Sequence, residues 1–315
     1  MKYIQEFKDG DRVAGVYLCK HKTSAMTKNG KPYESVILQD KTGSLDGKIW
    51  EIGSAGIEDF DALDYIDVVG DVTVFNNQLQ ISIKRVRKVE EGEYNPADYL
   101  PVSSRDNDEM YNELLSYVKG VENHYLHALL EEFFVKDEAF IKAFRKSSAA
   151  KSVHHCFVGG LLEHTVSVTS NCKFMAAKYP YLKKDLLITA ALLHDCAKVK
   201  EFSCFPENDY TDEGNLLGHI VMGCEMIGKK VEFIDGFPVS LENELKHCIL
   251  SHHGKLEFGS PKKPALMEAV ALNYADDLDA KMETFKEILD STSETGWLGY
   301  NKLFETNLRP TKAAE

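Results

Sequence analysis

Histidines and aspartates in the second half of the chain are the side chains best suited to chemistry. Of the 11 histidines, five fall within or at the ends of predicted helices there, together with two aspartates. An apolar helical face normally excludes charge, so a buried carboxylate or imidazole needs a partner. A divalent metal ion is one such partner, since imidazole binds Mn, Fe, Co or Zn and a carboxylate can bridge two ions. The positions are His164, His194, Asp195, His219, His252, His253 and Asp276.

Each of these residues has a plainer interpretation as a hydrogen-bonded core or surface residue. For any one of them the two interpretations are evenly balanced, whereas the ordered set favours metal binding. Asp277 and Asp279 lie beside Asp276, but only one of these neighbouring carboxylates needs to face the metal. We therefore expect the other two to be ordinary helix residues.

Length and composition indicate a globular protein. At 315 residues with 43% hydrophobic and 10% aromatic content, the chain is long enough for about two domains. The net charge of −13 argues against coating of nucleic acid by a broad basic surface, although it is compatible with a local basic groove. Seven cysteines without a CxxC pair indicate reduced thiols, and no run is apolar enough for a membrane span or secretory signal, so we expect a cytoplasmic protein.

The first 92 residues have the pattern of a small all-β domain. Five strand-like runs are separated by turn residues, and Leu79, Ile81 and Ile83 alternate as in a half-buried strand. The segment SAGIEDFDALD, residues 54–64, is predicted to form a helix between the third and fourth strands. Five strands with a helix in that position indicate a closed barrel of the OB type.

The remainder of the chain is predicted to be helical. Residues 93–110 mix charge, Pro and Ser and are predicted to be a linker. Residues 111–315 contain runs with apolar residues at intervals of three and four, so an all-α bundle is expected. The apolar carboxy-terminal stretch GWLGYNKLF packs either on its own domain or on another subunit, which leaves a homo-oligomer open.

The metal-binding candidates occur in an ordered series of short motifs. GGLLEHT, LLHDCAK, LLGHI, LSHHG and NYADDLDAK follow one another over roughly residues 145–290. The series resembles the HD superfamily of metal-dependent phosphohydrolases in its two-metal form. With the OB-type barrel and the linker included, the chain is similar to the YhaM family of bacterial 3′→5′ exoribonucleases. Asn273 departs from the histidine expected in many relatives, and the GYP motif of similar cyclic-dinucleotide phosphodiesterases is missing after HHG.

The resemblance implies two divalent transition-metal ions, with Mn expected and Fe or Co as alternatives. His164, His194, Asp195 and Asp276 would hold one ion, and Asp195, His219, His252 and His253 the other, with Asp195 bridging. Two ions about 4 Å apart can share a hydroxide whose pKa they lower, which supplies a nucleophile at neutral pH. The expected reaction converts single-stranded RNA, with single-stranded DNA as an alternative, into nucleoside 5′-monophosphates.

Catalytic roles are expected for Asp195 and Lys198. Lys198 follows Asp195 by three residues, on the same predicted helical face. Its ammonium group is expected to steady the phosphate during in-line attack. The alternative is a solvated helix lysine.

Contacts with nucleic acid are predicted on both domains. OB barrels bind single strands by stacking bases on aromatic rings and by placing basic side chains along the phosphates. The alternatives are core packing for the aromatic residues and ordinary surface charge for the basic ones. The predicted contacts are His155, Arg145 and Lys151 in the helical domain and Tyr33, Trp50, Phe75, Lys31 and Lys48 in the barrel.

Two other functions remain open from the sequence. One is an HD hydrolase of a cyclic dinucleotide or a nucleoside triphosphate, with the barrel as a regulatory domain. The other is a single-strand-binding protein whose metal site is only structural. The products formed from single-stranded RNA would separate these possibilities.

Overall fold

A computed structural model describes residues 2–76, 78–90, 92–151, 155–290, 292 and 294–312. The chain divides into two compact units, Met1–Val102 with Cys204–Glu207 and Ser103–Ser203 with Asn208–Glu315. Each unit has its own hydrophobic core. Across these described ranges, no helix combines the length and apolar character that crossing a bilayer would require.

The first unit is a closed barrel of five strands. Its strands are β1 (Arg12–Met26), β2 (Pro32–Asp40), β3 (Gly43–Ile49), β4 (Tyr65–Phe75) and β5 (Gln78–Lys88). Strand β3 pairs antiparallel with β2 and parallel with β5, and all the other strand pairings are antiparallel. The barrel closes in the order β1-β2-β3-β5-β4, so this unit is an OB-type barrel, as predicted.

Alternating apolar side chains fill the barrel. Val36 and Leu38 of β2 and Ile81 of β5 are completely buried. Their immediate neighbours along each strand, which point to the other face, are less buried. Gly70 of β4 lies where the register with β5 shifts by one residue. A Cβ atom there would lie 2.6 Å from the carbonyl oxygen of Ser82, so only glycine permits this close approach of the two strands.

The predicted helix over residues 54–64 does not form. Ile57 instead makes a parallel bridge to Val86 of β5. The amide of Val86 donates to the carbonyl of Gly56, and the amide of Glu58 donates to the carbonyl of Val86. Because these backbone groups bond to the barrel, they are not available for the internal bonds of a helix. The helix prediction is therefore wrong, and the segment lies along β5.

The second unit contains the predicted helical bundle. Asp106, Asn123 and Asp137 each accept hydrogen bonds from backbone amides in the first turn of the helix that follows them. These three side chains are therefore N-caps. The region predicted as a linker contains a 3₁₀ turn, Pro96–Asp98, and the first residues of α1. The helices are α1 (Asn107–Lys119), α2 (His124–Phe134), α3 (Glu138–Phe144), α4 (Gly160–Lys178), α5 (Lys184–Leu193), α6 (Lys198–Glu201), α7 (Asp212–Val231), α8 (Val239–Ser251) and α9 (Met267–Asp290).

The carboxy-terminal segment differs from the all-helical prediction. Strands β6 (Gly299–Asn301) and β7 (Thr306–Leu308) form an antiparallel pair. The ring of Phe304, between them, packs edge-on against Phe285 of α9, with the centroids 5.2 Å apart. Trp297, Tyr300 and Leu303 of this segment are more than half exposed, so Phe304 carries the packing against α9. Periodicity does not identify a hairpin this short.

Candidate metal centre

Five separate segments of the helical unit bring the seven predicted ligands together. His164 lies on α4, His219 on α7 and Asp276 on α9. The other four residues follow the carboxyl ends of helices: His194 and Asp195 come directly after α5, and His252 and His253 after α8. The imidazoles of His194 and His252 are completely buried and Asp195 is 2% exposed, so the centre lies within the helical core.

One group of ligands surrounds the Oδ2 atom of Asp195. The Nε2 atoms of His164 and His194 lie 3.5 Å and 3.4 Å from that oxygen. The same two nitrogens lie 3.2 Å and 3.9 Å from Oδ1 of Asp276. These four side chains correspond to the first ligand set expected from the sequence.

A second group surrounds the other oxygen of the same carboxylate. The Nε2 atoms of His219 and His252 lie 3.4 Å and 3.7 Å from Oδ1 of Asp195. His253 joins them, since one ligand atom from each of the three histidines lies within 4.8 Å of the others. Asp195 therefore presents one oxygen to each group, which is the arrangement that a bridging carboxylate requires.

The donor set fits a divalent metal ion. Ligand atoms bonded at about 2.0–2.2 Å to a common ion lie roughly 3.0–3.5 Å apart, close to the separations observed here. Oδ1 of Asp195 and Nε2 of His219 and His252 are buried, and none has a hydrogen-bond partner within the described part of the chain. Buried polar atoms without partners are costly, and a cation bound among them would remove that cost.

The orientation of the imidazoles also fits metal binding. In each of the five, Nδ1 faces an oxygen that can accept its proton, so the lone pair is available on Nε2. Two of these oxygens are side-chain carboxylates and three are backbone carbonyls. The pairs are His164 with Asp279 (2.7 Å), His194 with Ala191 (2.7 Å), His219 with Glu201 (2.9 Å), His252 with Ile249 (2.7 Å) and His253 with Phe258 (2.8 Å).

Asp279 and Glu201 orient two of the histidines. Asp279 was predicted to be an ordinary helix residue, which is wrong, and Glu201 had no predicted role. Asp279 accepts hydrogen bonds from His164, from Nε2 of His155 at 3.0 Å and from Ser167. Glu201 accepts from both the backbone amide and Nδ1 of His219, each at 2.9 Å. The spacing of Asp279 three residues after Asp276 was a usable signal, because such positions share a helical face. Nothing comparable linked Glu201 to His219, 18 residues later.

Charges in the centre reinforce one another. Burial disfavours a charged His164, but hydrogen bonds to Asp276 and Asp279 raise its pKa to about 10. Burial likewise opposes ionisation of Asp195, yet the nearby Lys198 and His194 hold the pKa of that carboxyl well below its usual range. Burial and the neighbouring His253 lower the pKa of His252. The carboxylates are thus ionised and His252 is neutral, as metal ligands must be, whereas His164 would release a proton from Nε2 on binding an ion.

Lys198 contributes a buried positive charge beside the bridging carboxylate. Its Nζ lies 2.7 Å from Oδ2 of Asp195, and the residue is only 8% exposed. Burial opposes the charge, but attraction to Asp195 raises the pKa of the ammonium group above its ordinary value. Asp195 lies in a turn and Lys198 is the first residue of α6, so the spacing of three residues brings them together without a continuous helix.

The predicted nucleic-acid contacts of the helical unit have intramolecular partners. His155 is 2% exposed and bonds to Asp279, so it supports the centre and does not offer the surface that a strand would contact. Arg145 pairs with Asp108 and lies over the ring of Tyr111. Lys151 pairs with Asp209.

In the barrel, the aromatic candidates include one adjacent pair. The rings of Tyr33 and Trp50 have centroids 4.9 Å apart, and Trp50 is 46% exposed. Phe75 is 62% exposed. Lys31 is exposed, whereas Lys48 is hydrogen-bonded to Ser35 and Asp46. Trp50, Phe75 and Lys31 therefore offer exposed surface and Tyr33 packs beside Trp50, whereas Lys48 is hydrogen-bonded within the barrel.

Comparison with known proteins matches part of the helical unit to one family. The HD domain family model matches residues 161–281, the range that contains all seven ligands. This part of the chain is an HD domain, which indicates a metal-dependent phosphohydrolase. HD domains bind divalent metals, and the clusters described above supply suitable side chains.

Solved structures similar to the chain cover its first part. The second OB-fold domain of replication protein A from Methanococcus maripaludis is 23% identical, with 30% of this chain and 98% of that one covered and a TM-score of 0.22. The OB domain of Ta0387 from Thermoplasma acidophilum is 15% identical, with 31% and 92% covered and a TM-score of 0.23. A replication protein A heterotrimer bound to ssDNA is 19% identical, with 28% and 64% covered and a TM-score of 0.22.

Proposed function

We propose that this protein is a metal-dependent 3′→5′ exoribonuclease that hydrolyses single-stranded RNA to nucleoside 5′-monophosphates. The observation that supports this most is the division of the Asp195 carboxylate between two groups of ligands, one at each oxygen. Two divalent cations, with Mn²⁺ expected, would be held by these groups. When bound, they supply Lewis-acid chemistry and a nucleophile at neutral pH.

The residues of the chain have separate tasks in this reaction. Asp195, Asp276 and the five histidines would hold the cations, and Asp279 and Glu201 fix the orientation of His164 and His219. Lys198 stays protonated beside Asp195 and donates a hydrogen bond to a nonbridging phosphate oxygen. The oxygen of water bonds to phosphorus, the bond from phosphorus to the preceding 3′ oxygen breaks, and that oxygen takes up a proton.

The barrel would bind the strand whose end is hydrolysed. Tyr33, Trp50 and Phe75 provide candidate stacking surfaces for bases. Because the chain has a net charge of −13, binding should be local, modest in affinity and sensitive to salt. Single-stranded DNA would bind by the same contacts. No disulfide joins cysteines in the described residues, which supports a reducing compartment such as the cytoplasm.

The test is the incubation of a 5′-labelled single-stranded RNA with the protein and Mn²⁺. We expect a ladder of labelled strands that shorten one nucleotide at a time, with nucleoside 5′-monophosphates as the other product. Asp195→Asn, which removes one bridging charge, should abolish the ladder. Intact RNA together with rapid cleavage of a cyclic dinucleotide or a nucleoside triphosphate would overturn the proposal.

A further inference from the structure

The loop that follows His253 exposes an aromatic ring and several lysines beside the metal centre. It contains the 3₁₀ turn Leu256–Phe258. Leu256 and Phe258 are both 59% exposed, which is unusual for apolar side chains so close to a buried centre. The loop also contains three exposed lysines, in a chain whose net charge is −13. They are Lys255, Lys262 and Lys263.

Backbone contacts fix the position of this ring relative to the centre. The carbonyl of Phe258 accepts the 2.8 Å hydrogen bond from Nδ1 of His253, whose imidazole belongs to the second ligand group. Gly254 and Gly259 lie on either side of the turn and have φ of 76° and 88°. Glycine adopts this left-handed conformation without strain. The backbone of Phe258 is therefore one hydrogen bond away from a ligand, while its ring is open to solvent.

A positive charge lies over the same ring. Nζ of Lys255 is 5.0 Å from the ring centroid of Phe258. Its ion pair with Glu257 is long, at 3.7 Å, and both side chains are more than 60% exposed, so the pair contributes little and does not prevent contact with a phosphate. An aromatic face next to an ammonium group is the combination that binds one nucleotide of a single strand, the base by stacking and the phosphate by charge.

We propose that Phe258 stacks on the base of the 3′-terminal nucleotide and that Lys255 contacts the adjacent backbone. This inference rests on the proposed exonuclease function and assigns the subsite of the nucleotide that is released. Stacking tolerates every base, because each base has a π face, so such a subsite suits removal of successive nucleotides without sequence preference. Binding the leaving nucleotide beside His253 would hold its phosphate near Asp195.

The experiment compares two RNA strands that differ only at the 3′ end. One ends in an ordinary nucleotide and the other in an abasic nucleotide, and kcat/KM is measured for removal of that nucleotide. Phe258→Ala should lower kcat/KM about tenfold or more on the ordinary strand and less than about twofold on the abasic strand. Phe258→Trp should retain the wild-type value, because it preserves the stacking surface.

Phe174→Ala is the matched control. Phe174 is also a well-exposed phenylalanine of the helical unit, 72% exposed, and it lies ten residues after His164 on α4, about 15 Å along the helix. With Phe174→Ala, kcat/KM should be unchanged for both RNA strands. Bound Mn²⁺ is measured for every variant, and we expect it to be unchanged in Phe258→Ala, because the carbonyl that contacts His253 is retained.

An equal loss on both strands with Phe258→Ala, or no loss on either, would overturn the subsite while leaving the nuclease function intact. Failure of the wild-type protein to shorten either strand would overturn the nuclease function and this inference with it. A loss with Phe258→Ala that persists when the terminal nucleotide is abasic but disappears when the penultimate nucleotide is abasic would assign the ring to a different nucleotide and so contradict the proposal.

Discussion

At the scale of single residues, the centre depends on the carboxylates behind the imidazoles as much as on the ligands. Asp279 and Glu201 each accept the Nδ1 proton of one histidine, and those two histidines belong to different ligand groups. A histidine held in this way directs Nε2 to the metal and is a stronger base. Removal of Asp279 or of Glu201 should therefore weaken metal binding by one ligand group and leave binding by the other group unchanged.

Replacement of Asp279 tests this arrangement. We expect Asp279→Asn to weaken binding of one Mn²⁺ by about 10- to 100-fold, because the amide accepts less strongly from His164. Binding of the second ion should change much less. Isothermal titration with Mn²⁺ measures both. Asp277→Asn is the control, since Asp277 is 49% exposed in its side chain and pairs only with Lys281 among the described residues; equal effects of the two substitutions would contradict the assignment.

Replacement of Lys198 tests the expected role of its charge in catalysis. Lys198→Met keeps the length of the side chain and removes the ammonium group beside Asp195. We expect kcat to fall by about 100-fold, because a charge that stabilises the transition state is lost. The Mn²⁺ content and the melting temperature in Mn²⁺ should be retained, and a full kcat in this variant would show that the lysine has only a structural role.

Residue types and order were enough to predict which imidazoles and carboxylates come together but not the side chains that orient them. Imidazoles and carboxylates in apolar helices are conspicuous, and their order matched a family pattern. In the sequence, Glu201 cannot be distinguished from a surface glutamate, because it contacts His219 only when α7 packs against α6. The burial of His155 behind Asp279 was equally unpredictable, because the two residues are 124 positions apart in the sequence and meet only through tertiary packing.

At the scale of elements, the centre is assembled from the ends and interruptions of helices. Ligands follow α5 and α8, and α7 is interrupted at Gly218, immediately before His219. Gly218 has φ 72° and ψ 156°, a region that is essentially restricted to glycine. The interruption lets the amide of His219 donate to Glu201, so both the amide and the ring of His219 are fixed by one carboxylate.

Substitution of Gly218 should therefore affect metal binding through the backbone. We expect Gly218→Ala to weaken binding at the His219 group by about tenfold, because strain of about 1–3 kcal/mol is introduced at this position. Gly120→Ala serves as the control, since Gly120 has an ordinary helical conformation, with φ −82°. Unchanged Mn²⁺ affinity in Gly218→Ala would argue against this role of the interruption.

The contact between α3 and α7 should make the stability of the helical unit depend on pH. Asp137 caps α3 through the amide of Phe140 and lies 2.7 Å from Nζ of Lys230. The hydrogen bond from Lys230 lowers the pKa of Asp137. The stabilisation is therefore present above the unfolded value of about 3.9 and is lost as the pH falls through the folded pKa.

Chemical denaturation of Asp137→Ala should detect this dependence. We expect a loss of about 1–2 kcal/mol at pH 7, as for a removed helix cap, and a smaller difference from wild type in acid. Glu138→Gln, at the exposed neighbouring position, should change stability little. A difference between wild type and Asp137→Ala that is constant from pH 7 to pH 3 would contradict this account.

The elements themselves were predictable where their side chains alternate or repeat. The period of two in the strands and of three to four in the helices comes from burial of one face, so the sequence reveals it directly. The segment 54–64 has acidic and apolar residues at helical spacing, but its backbone bonds to β5 instead. The hairpin of β6 and β7 has only three residues in each strand, which is too short for a period to be recognised.

At the scale of the whole molecule, two units with separate cores are joined in one chain, and the metal centre lies entirely in the second. Its ligands come from five segments between α4 and α9, so bound ions would connect most of the helical core. Ligands that bind only the folded state stabilise it by mass action. Metal should therefore stabilise the helical unit and leave the barrel unaffected.

Calorimetry with and without EDTA measures this effect. We expect the melting temperature of the helical unit to rise with Mn²⁺ concentration and to fall on chelation. Mg²⁺ should be less effective, since imidazole ligands favour transition metals. The control is Asp276→Asn with His252→Ala, which removes one ligand from each group and should make the transition independent of Mn²⁺. A Mn²⁺-dependent shift that persists in this double variant would contradict binding at the centre.

The central claim is that Asp195 would hold two cations, one at each carboxylate oxygen, in a protein that hydrolyses single-stranded RNA. The most direct measurement is anomalous diffraction at the manganese edge from crystals grown with Mn²⁺. We predict two peaks, one near Oδ2 of Asp195 with His164, His194 and Asp276, and one near Oδ1 with His219, His252 and His253. Absence of both peaks, or their location away from Asp195 in protein that still shortens RNA, would contradict the account.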